Sequence, residues 1–295
     1  MLSSMATNTL PLLLFLRACE ARIRAYVPRS NTSKIYAPLP QDRLAAHLEN
    51  VHADGPPDLW AWINETFRVV LNYPQNVGGT TAEAPLEVDA AVRLLAQRER
   101  GGWKTVCEIG MNAGSSAVIW LHGTDAQLQE FDMFERTYSR GTQSFLEAAF
   151  PSRVTFYPGP SQKTVLQYVQ AVQSGEASPC DLWYVDGNHD IPFVWQDFRL
   201  VLASAAFDGW LMADDYSKRY PGVRMAWQEY TQRGLVIPTE TFMYTSSQPG
   251  VGHKGWAIGR WNTTALRAMN RTLPAHCERK ALWCDYATSP PGDAS

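Results

Sequence analysis

Two apolar runs in this 295-residue sequence end in acids. "DLWYVDGNHD" reaches Asp186, and "FDGWLMADDY" reaches the pair Asp214 and Asp215. If both runs are neighbouring strands, their ends place three carboxylates at one sheet edge. Such a gathering is unfavourable unless a cation, a proton or a positive ligand compensates it. A hard divalent ion with oxygen ligands, Mg²⁺ or Mn²⁺, is the natural compensation. It would lower the pKa of a coordinated hydroxyl and orient it. His189, with an unperturbed pKa of about 6.5, is placed to accept that proton as general base. Asp190 is a weaker candidate. The plainer readings are that a strand-end Asp caps a helix or closes a turn, and that His189 makes a structural hydrogen bond. Asp197, inside "WQDFRLVL", reads as a solvated helix-face or capping residue.

A second constellation is "VCEIGMNAGSS", in which Glu108 precedes a G-x-x-x-G turn formed by Gly110 and Gly114. Glycine lets the backbone approach a ligand and adopt torsions closed to side chains, and Asn112 tolerates left-handed torsions better than most residues. Ser115 or Ser116 can cap the helix that follows. Dinucleotide sites favour G-x-G-x-x-G with a glycine under the pyrophosphate. The wider spacing here and the preceding acid suit a ligand without phosphates. Asp132, at the end of the next apolar run, lies at the usual distance for gripping ribose hydroxyls, and Glu135 is the reserve.

These groups need a scaffold, and the chain's rhythm supplies one. From Trp103 onward, short apolar runs ("TVCEI", "LQEFD", "RVTFYP", "DLWYVD", "WLMADD", "TFMYTS", "GWAIGRW") alternate with helical stretches. Alternation of this kind predicts an α/β fold, a mostly parallel seven-stranded sheet with helices on both faces. The last two runs are joined only by "QPGVGHK" and should form a terminal antiparallel hairpin. The boundaries read as a targeting segment or N-terminal helix over 1–30, a helical accessory region over 31–84, the main domain over 85–262, and a C-terminal extension over 263–295. Helices are expected around "QDRLAAHLENV", "DLWAWINETFRVVL" and "LEVDAAVRLLAQRER", the last by its three- and four-residue apolar spacing.

A net charge of −3 without a long basic run lacks the electrostatic footprint of nucleic-acid binding. No apolar stretch is long enough to span a bilayer. Cys107 and Cys180 fall in buried strands and read as small hydrophobes, while Cys277 and Cys284 could pair in an oxidising compartment. Sequons at Asn31, Asn64, Asn262 and Asn270 matter only on a secretory route, and a cytoplasmic or organellar location is favoured over that route. Of the eleven Trp residues, Trp120, Trp183 and Trp210 sit in apolar runs and read as core. Tyr216, Lys218, Arg219 and Tyr220 read either as a cover for the acceptor or as a surface turn.

"CEIGMNAGSSA" resembles motif I of the class I S-adenosylmethionine-dependent methyltransferases. "FDMFE", "CDLWYVDGNHD" and "FDGWLMADDY" follow in that family's order and spacing. The branch it is most similar to includes macrocin-type sugar and small-molecule O-methyltransferases, over roughly Leu86 to Trp261. The resemblance implies a Rossmann-like fold and S-adenosyl-L-methionine as donor. It implies that Glu108, Gly110, Met111, Asn112, Gly114 and Ser115 border the methionine moiety. Asp132 would hold the ribose, with Met133 beside it. Gly159 and Ser161 would lie near the adenine, although Pro160 stands where the family has an acid; Ser161 could equally only cap the next helix. The resembling sugar enzymes bind a metal at the positions of Asp186, Asp214 and Asp215, and some carry an acid where this chain has Asn188. The implied activity is metal-assisted O-methylation of a hydroxylated small molecule such as a sugar, glycoside or phenolic. A non-catalytic cofactor-binding protein and a metal-independent N- or S-methyltransferase are the alternatives. Homo-oligomers are compatible with this reading.

Overall fold

Runs of Val, Leu, Ile and aromatic residues bounded by turns form seven strands, laid side by side so that both faces can be covered by helices. The computed structural model describes residues 57–71, 84–245 and 252–268, all within one compact unit. Two helices precede the sheet, α1 (Pro57–Leu71) and α2 (Pro85–Leu95). The strand–helix alternation follows: β1 (Thr105–Ile109), α3 (Ser115–Gly123), β2 (Gln127–Asp132), α4 (Ser139–Ala149), β3 (Val154–Pro158), α5 (Ser161–Ser174) and β4 (Cys180–Val185). The chain continues with α6 (Ile191–Ser204), β5 (Ala205–Asp214), α7 (Pro221–Gln232), β6 (Val236–Thr245), β7 (His253–Trp261) and the short α8 (Thr263–Ala268).

The strand order is β3-β2-β1-β4-β5-β7-β6, parallel through β5, with β7 antiparallel to both β5 and β6. Strand order therefore reverses between β1 and β4, and the crevice beyond their C-terminal ends is the expected ligand position. The expected fold class is the observed one. Two strands begin earlier than the sequence suggested. β5 follows α6 without a loop. β6 includes Pro238, which an edge strand tolerates beside the register shift between Pro238 and Glu240.

One sheet face packs against α1 to α4. Leu59, Trp60, Ile63 and Phe67 of α1 are buried in the same core as Val106, Leu128, Leu182 and Trp210 of the sheet. Each such side chain contributes roughly 1.5–3 kcal/mol by burial, which binds this N-terminal helix to the main domain. Trp120 and Trp183 are also core.

Two expectations are corrected, those for the cysteines and for Asp197. Cys107 and Cys180 are not free: they form a disulfide, because neighbouring central strands bring their Cα atoms to 5.9 Å. Asn262 of the third sequon caps a helix. Its Oδ1 accepts from the Thr264 and Ala265 amides at 3.1 and 3.2 Å, capping α8, while its Nδ2 donates to the Gly234 carbonyl at 2.8 Å. Asp197 is 1% exposed rather than solvated, for reasons given below. The segment 1–30, the helix expected over 41–51, Asn31, Asn270, Cys277 and Cys284 lie outside the described residues. Among the described residues no helix is long and apolar enough to cross a membrane.

Candidate active site

The glycine turn caps β1 at the switch point. Gly110 has φ +104°, and a Cβ there would sit 2.1 Å from the Asp186 carbonyl oxygen, so β1 and β4 touch backbone to backbone. Asn112 takes the left-handed conformation at φ 47°, and Gly114 at φ +82° opens α3. Neither serine caps that helix. Gly114 is the N-cap, without a side-chain cap bond, and both hydroxyls are drawn elsewhere. Ser115 Oγ lies 3.2 Å from Thr66 Oγ1 of α1, and Ser116 Oγ donates to Glu108 Oε1.

Glu108 is fully buried; burial pushes its carboxyl up to about 8, against the hydrogen bond from Ser116. Met111 is buried beneath the turn. Asp132 accepts from the Phe134 amide at 2.6 Å and from the Asn112 amide at 3.3 Å, which fixes it beside the glycine turn with acceptor capacity remaining. Tyr138 Oη donates to Asn112 Oδ1, a support that the sequence did not reveal. Met133 is 47% exposed, and Glu135 is exposed too.

On the other flank, the Gly159 amide donates to the Asp132 carbonyl at 2.8 Å. Ser161 is not a cap; its Oγ donates to Asp197 Oδ1 at 2.7 Å and accepts from Gln162 Nε2 at 3.0 Å. Asp197 lies under the loop after β4, where a Cβ on Gly187 would come within 3.3 Å of its Oδ2. Burial raises its carboxyl from 3.8 to about 7, against the Ser161 hydrogen bond. Because the folded value exceeds the unfolded one, its stabilising effect is complete below pH 3.8 and is lost as pH rises through about 7. Asp197→Asn, which keeps an acceptor for Ser161, should therefore match the wild type near pH 4. At pH 8 it should be more stable by on the order of 3 kcal/mol, read from denaturant unfolding at both pH values.

The acids meet at the ends of β4 and β5. Single ligand atoms of Asp186, His189 and Asp215 all lie within 4.8 Å of one another. His189 Nε2 is 3.5 Å from Asp186 Oδ1 and 2.9 Å from Asp215 Oδ2, yet it lacks the alignment of a hydrogen bond. Asp215 holds a left-handed φ of 55°, a strain of about 1–3 kcal/mol for a side-chain residue, at the point where it faces His189. Tyr220 lies against the imidazole, with ring centroids 4.4 Å apart and planes tilted by 34°. Asn188 Oδ1 accepts from the Asp190 amide at 2.9 Å and so shapes the loop. Asp190 is exposed.

Asp214 stands apart from this group. Its Oδ1 accepts the amide of Asp215, and its carboxyl interacts with Glu87 from α2. Two residues that sequence reasoning missed complete the arrangement. Lys254 Nζ, on β7, is 3.6 Å from Asp215 Oδ1, and the residue is only 9% exposed. Glu87 is fully buried and accepts from Tyr184 Oη at 3.3 Å. Burial, then Asp214, raises Glu87 well above the ordinary carboxylate range and so disfavours its charged form. Burial also raises Asp186, helped by Asp214. Burial opposes charge on His189, but Asp186 and Asp215 outweigh it and raise the imidazole to about 10. Burial likewise works against Asp215, and His189 and Lys254 outweigh it and hold that carboxyl low. The chain thus supplies part of the charge compensation that the acids demand. A lysine opening the last strand was the available signal, legible only with knowledge that β7 lies beside β5.

Residues 107–216 match a family model described as a methyltransferase domain. No curated protein matches the sequence. Among solved structures, the chain is similar to a putative O-methyltransferase from Klebsiella pneumoniae at 19% identity and a TM-score of 0.52, covering 75% of this chain and 96% of that one. It is similar to an O-methyltransferase from Bacillus cereus in complex with SAH, at 17% identity and 0.54, covering 74% and 97%. It is also similar to the O-methyltransferase TomG from Streptomyces achromogenes, involved in tomaymycin synthesis and solved with SAM, at 17% and 0.53, covering 76% and 99%. At these identities the likeness is one of fold: the chain has the seven-stranded Rossmann-like fold of these methyltransferases, and residues 107–216 within it match the methyltransferase-domain model.

Proposed function

We propose that this protein transfers the methyl group of S-adenosyl-L-methionine to an oxygen of a hydroxylated small molecule, assisted by Mg²⁺ or Mn²⁺ at Asp186 and Asp215. The carrying observation is that the glycine turn after β1 lies against the Asp186 carbonyl, which supports a donor floor and an acid cluster at one sheet edge.

Glu108 and the turn from Gly110 to Ser115 would take the donor's amino-acid end, and Asp132 the ribose. Gly159 and Ser161 would border the adenine, the latter positioned by Asp197. The acid cluster fits a hard divalent ion. Two carboxylates with water and substrate oxygens are a common ligand set for Mg²⁺, and Asp215 Oδ1 and His189 Nε2 are buried there without hydrogen-bond partners. Asp214 anchors Asp215 from behind, a narrower ligand set than the resemblance implies. When bound, the ion supplies Lewis acidity that lowers the pKa of the acceptor hydroxyl.

In the transfer, the acceptor oxygen forms the new bond to the methyl carbon as the sulfur–carbon bond breaks, releasing the demethylated donor. The hydroxyl proton goes to His189, the imidazole at the cluster. While Asp186 and Asp215 are uncompensated they hold His189 protonated, so the base becomes competent only once their charge is met otherwise. Titration calorimetry with S-adenosylhomocysteine should show binding, and turnover on a panel of sugars, glycosides and phenolics should fall on chelation and return with Mn²⁺. Absence of S-adenosylhomocysteine binding would contradict the donor assignment. Turnover indifferent to chelation would contradict the ion alone.

A further inference from the structure

Beneath the glycine turn, a second acid lies beside Glu108. Glu108 of β1 and Glu130 of β2 are register partners on adjacent parallel strands, so their side chains leave the same sheet face side by side. Both residues are 0% exposed. Ser116 donates to Glu108 Oε1, while Glu108 Oε2 and both Glu130 oxygens have no hydrogen-bond partner. Asp132, two residues further along β2, continues the row toward the ribose position.

Two carboxylates side by side in a dry interior cannot both carry charge, so one must hold a proton. Glu108 has the Ser116 hydroxyl to stabilise its charge, and Glu130 has no donor of its own. The proton therefore belongs on Glu130, and burial followed by Glu108 raises the Glu130 carboxyl well above its ordinary range. A neutral Glu130 has a hydroxyl to donate, and Glu108 Oε2 is the unsatisfied acceptor next to it. Each carboxylate oxygen can accept more than once, so although burial holds Glu108 up at about 8 without a ligand, the donors on both its oxygens orient it and let an incoming cation draw it to the charged form.

We propose that Glu130 is a positioning residue of the donor site, holding Glu108 from the neighbouring strand so that its carboxylate receives the α-ammonium of the donor's amino-acid end. This rests on the donor assignment above. It has a consequence that a merely structural acid would not share: loss of Glu130 should penalise only ligands that carry the amino-acid end. Without it, the charged form of Glu108 is left half-satisfied in a dry site, and the carboxyl keeps its proton against the incoming cation.

The test compares two probes by calorimetry at neutral pH: S-adenosylhomocysteine, and 5′-methylthioadenosine, which keeps the nucleoside and lacks the amino acid. The wild type should bind both. Glu130→Leu should weaken S-adenosylhomocysteine by tenfold or more and leave 5′-methylthioadenosine within about threefold. Glu130→Gln, whose amide can still donate to Glu108, should stay within about threefold for both. In a Glu108→Gln background, Glu130→Leu should cost nothing further. Equal weakening of both probes, no weakening of either, or a tenfold loss of S-adenosylhomocysteine in Glu130→Gln would overturn the proposal. If Glu130→Leu fails to fold, Glu130→Ser, too short to reach Glu108, must show the same split. If that fails too, the Glu130→Gln result decides. A wild type that binds neither probe would instead remove the donor assignment.

Discussion

Asp215→Asn is expected to reduce ion-supported turnover by about a thousandfold, equivalent to roughly 4 kcal/mol of transition-state stabilisation. S-adenosylhomocysteine affinity should stay within about threefold. The large effect follows from what Asp215 does at once. Its Oδ2 faces His189 at 2.9 Å, its Oδ1 faces Lys254 at 3.6 Å, and it is one of two carboxylates available to an ion. Removing its charge weakens the ion site and leaves Lys254 beside a neutral amide. Asn is the right replacement because it tolerates the left-handed φ of 55° as well as Asp does, so the strand end keeps its shape. The small expected change in donor affinity separates the two half-sites. Steady-state rates with saturating Mn²⁺, set beside calorimetry, decide it. Full activity in Asp215→Asn would remove Asp215 from the chemistry.

Gly110→Ala should be the most damaging single added methyl group among the described residues. The added carbon would lie 2.1 Å from the Asp186 carbonyl oxygen and 2.7 Å from its carbonyl carbon, both backbone atoms that cannot rotate aside. It would also sit at φ +104°, where an L side chain is strained. Strain alone costs about 1–3 kcal/mol, and the overlap forces β1 and β4 apart at their ends. We expect a melting temperature lower by roughly 10 °C and S-adenosylhomocysteine binding reduced beyond detection. Near-native melting and binding would mean that the turn is neither tight nor in the donor site.

Much of this was legible locally. Apolar runs closing on Asp132, Asp186 and Asp214–Asp215 announced strand ends. The alternation with helices announced parallel pairing, and Asn112 announced a left-handed turn. What stayed hidden depends on which strands become neighbours. Cys107 and Cys180 are 73 residues apart and meet only because β1 lies beside β4. Glu130 reads as a polar residue in "LQEFD" until β2 is placed on β1, where it faces Glu108. Lys254 looks like the end of a turn until β7 inserts between β5 and β6. Asp197 reads as a solvated helix position until α5 brings Ser161 against it, and Glu87 depends on α2 folding over the end of β5. Each is a polar group whose role is set by a long-range partner, and periodicity carries no information about such partners.

The account stands on the donor's methyl group and the acid cluster occupying one pocket. The most direct measurement is the carbon-13 line of methyl-labelled S-adenosyl-L-methionine bound to the protein, recorded while Mn²⁺ is added and its binding is followed by electron paramagnetic resonance. The account predicts that bound Mn²⁺ broadens the methyl line away, and that the line survives the same addition in Asp215→Asn. A sharp methyl line in the wild type, with Mn²⁺ demonstrably bound, would place the ion and the donor in separate parts of the molecule and contradict it.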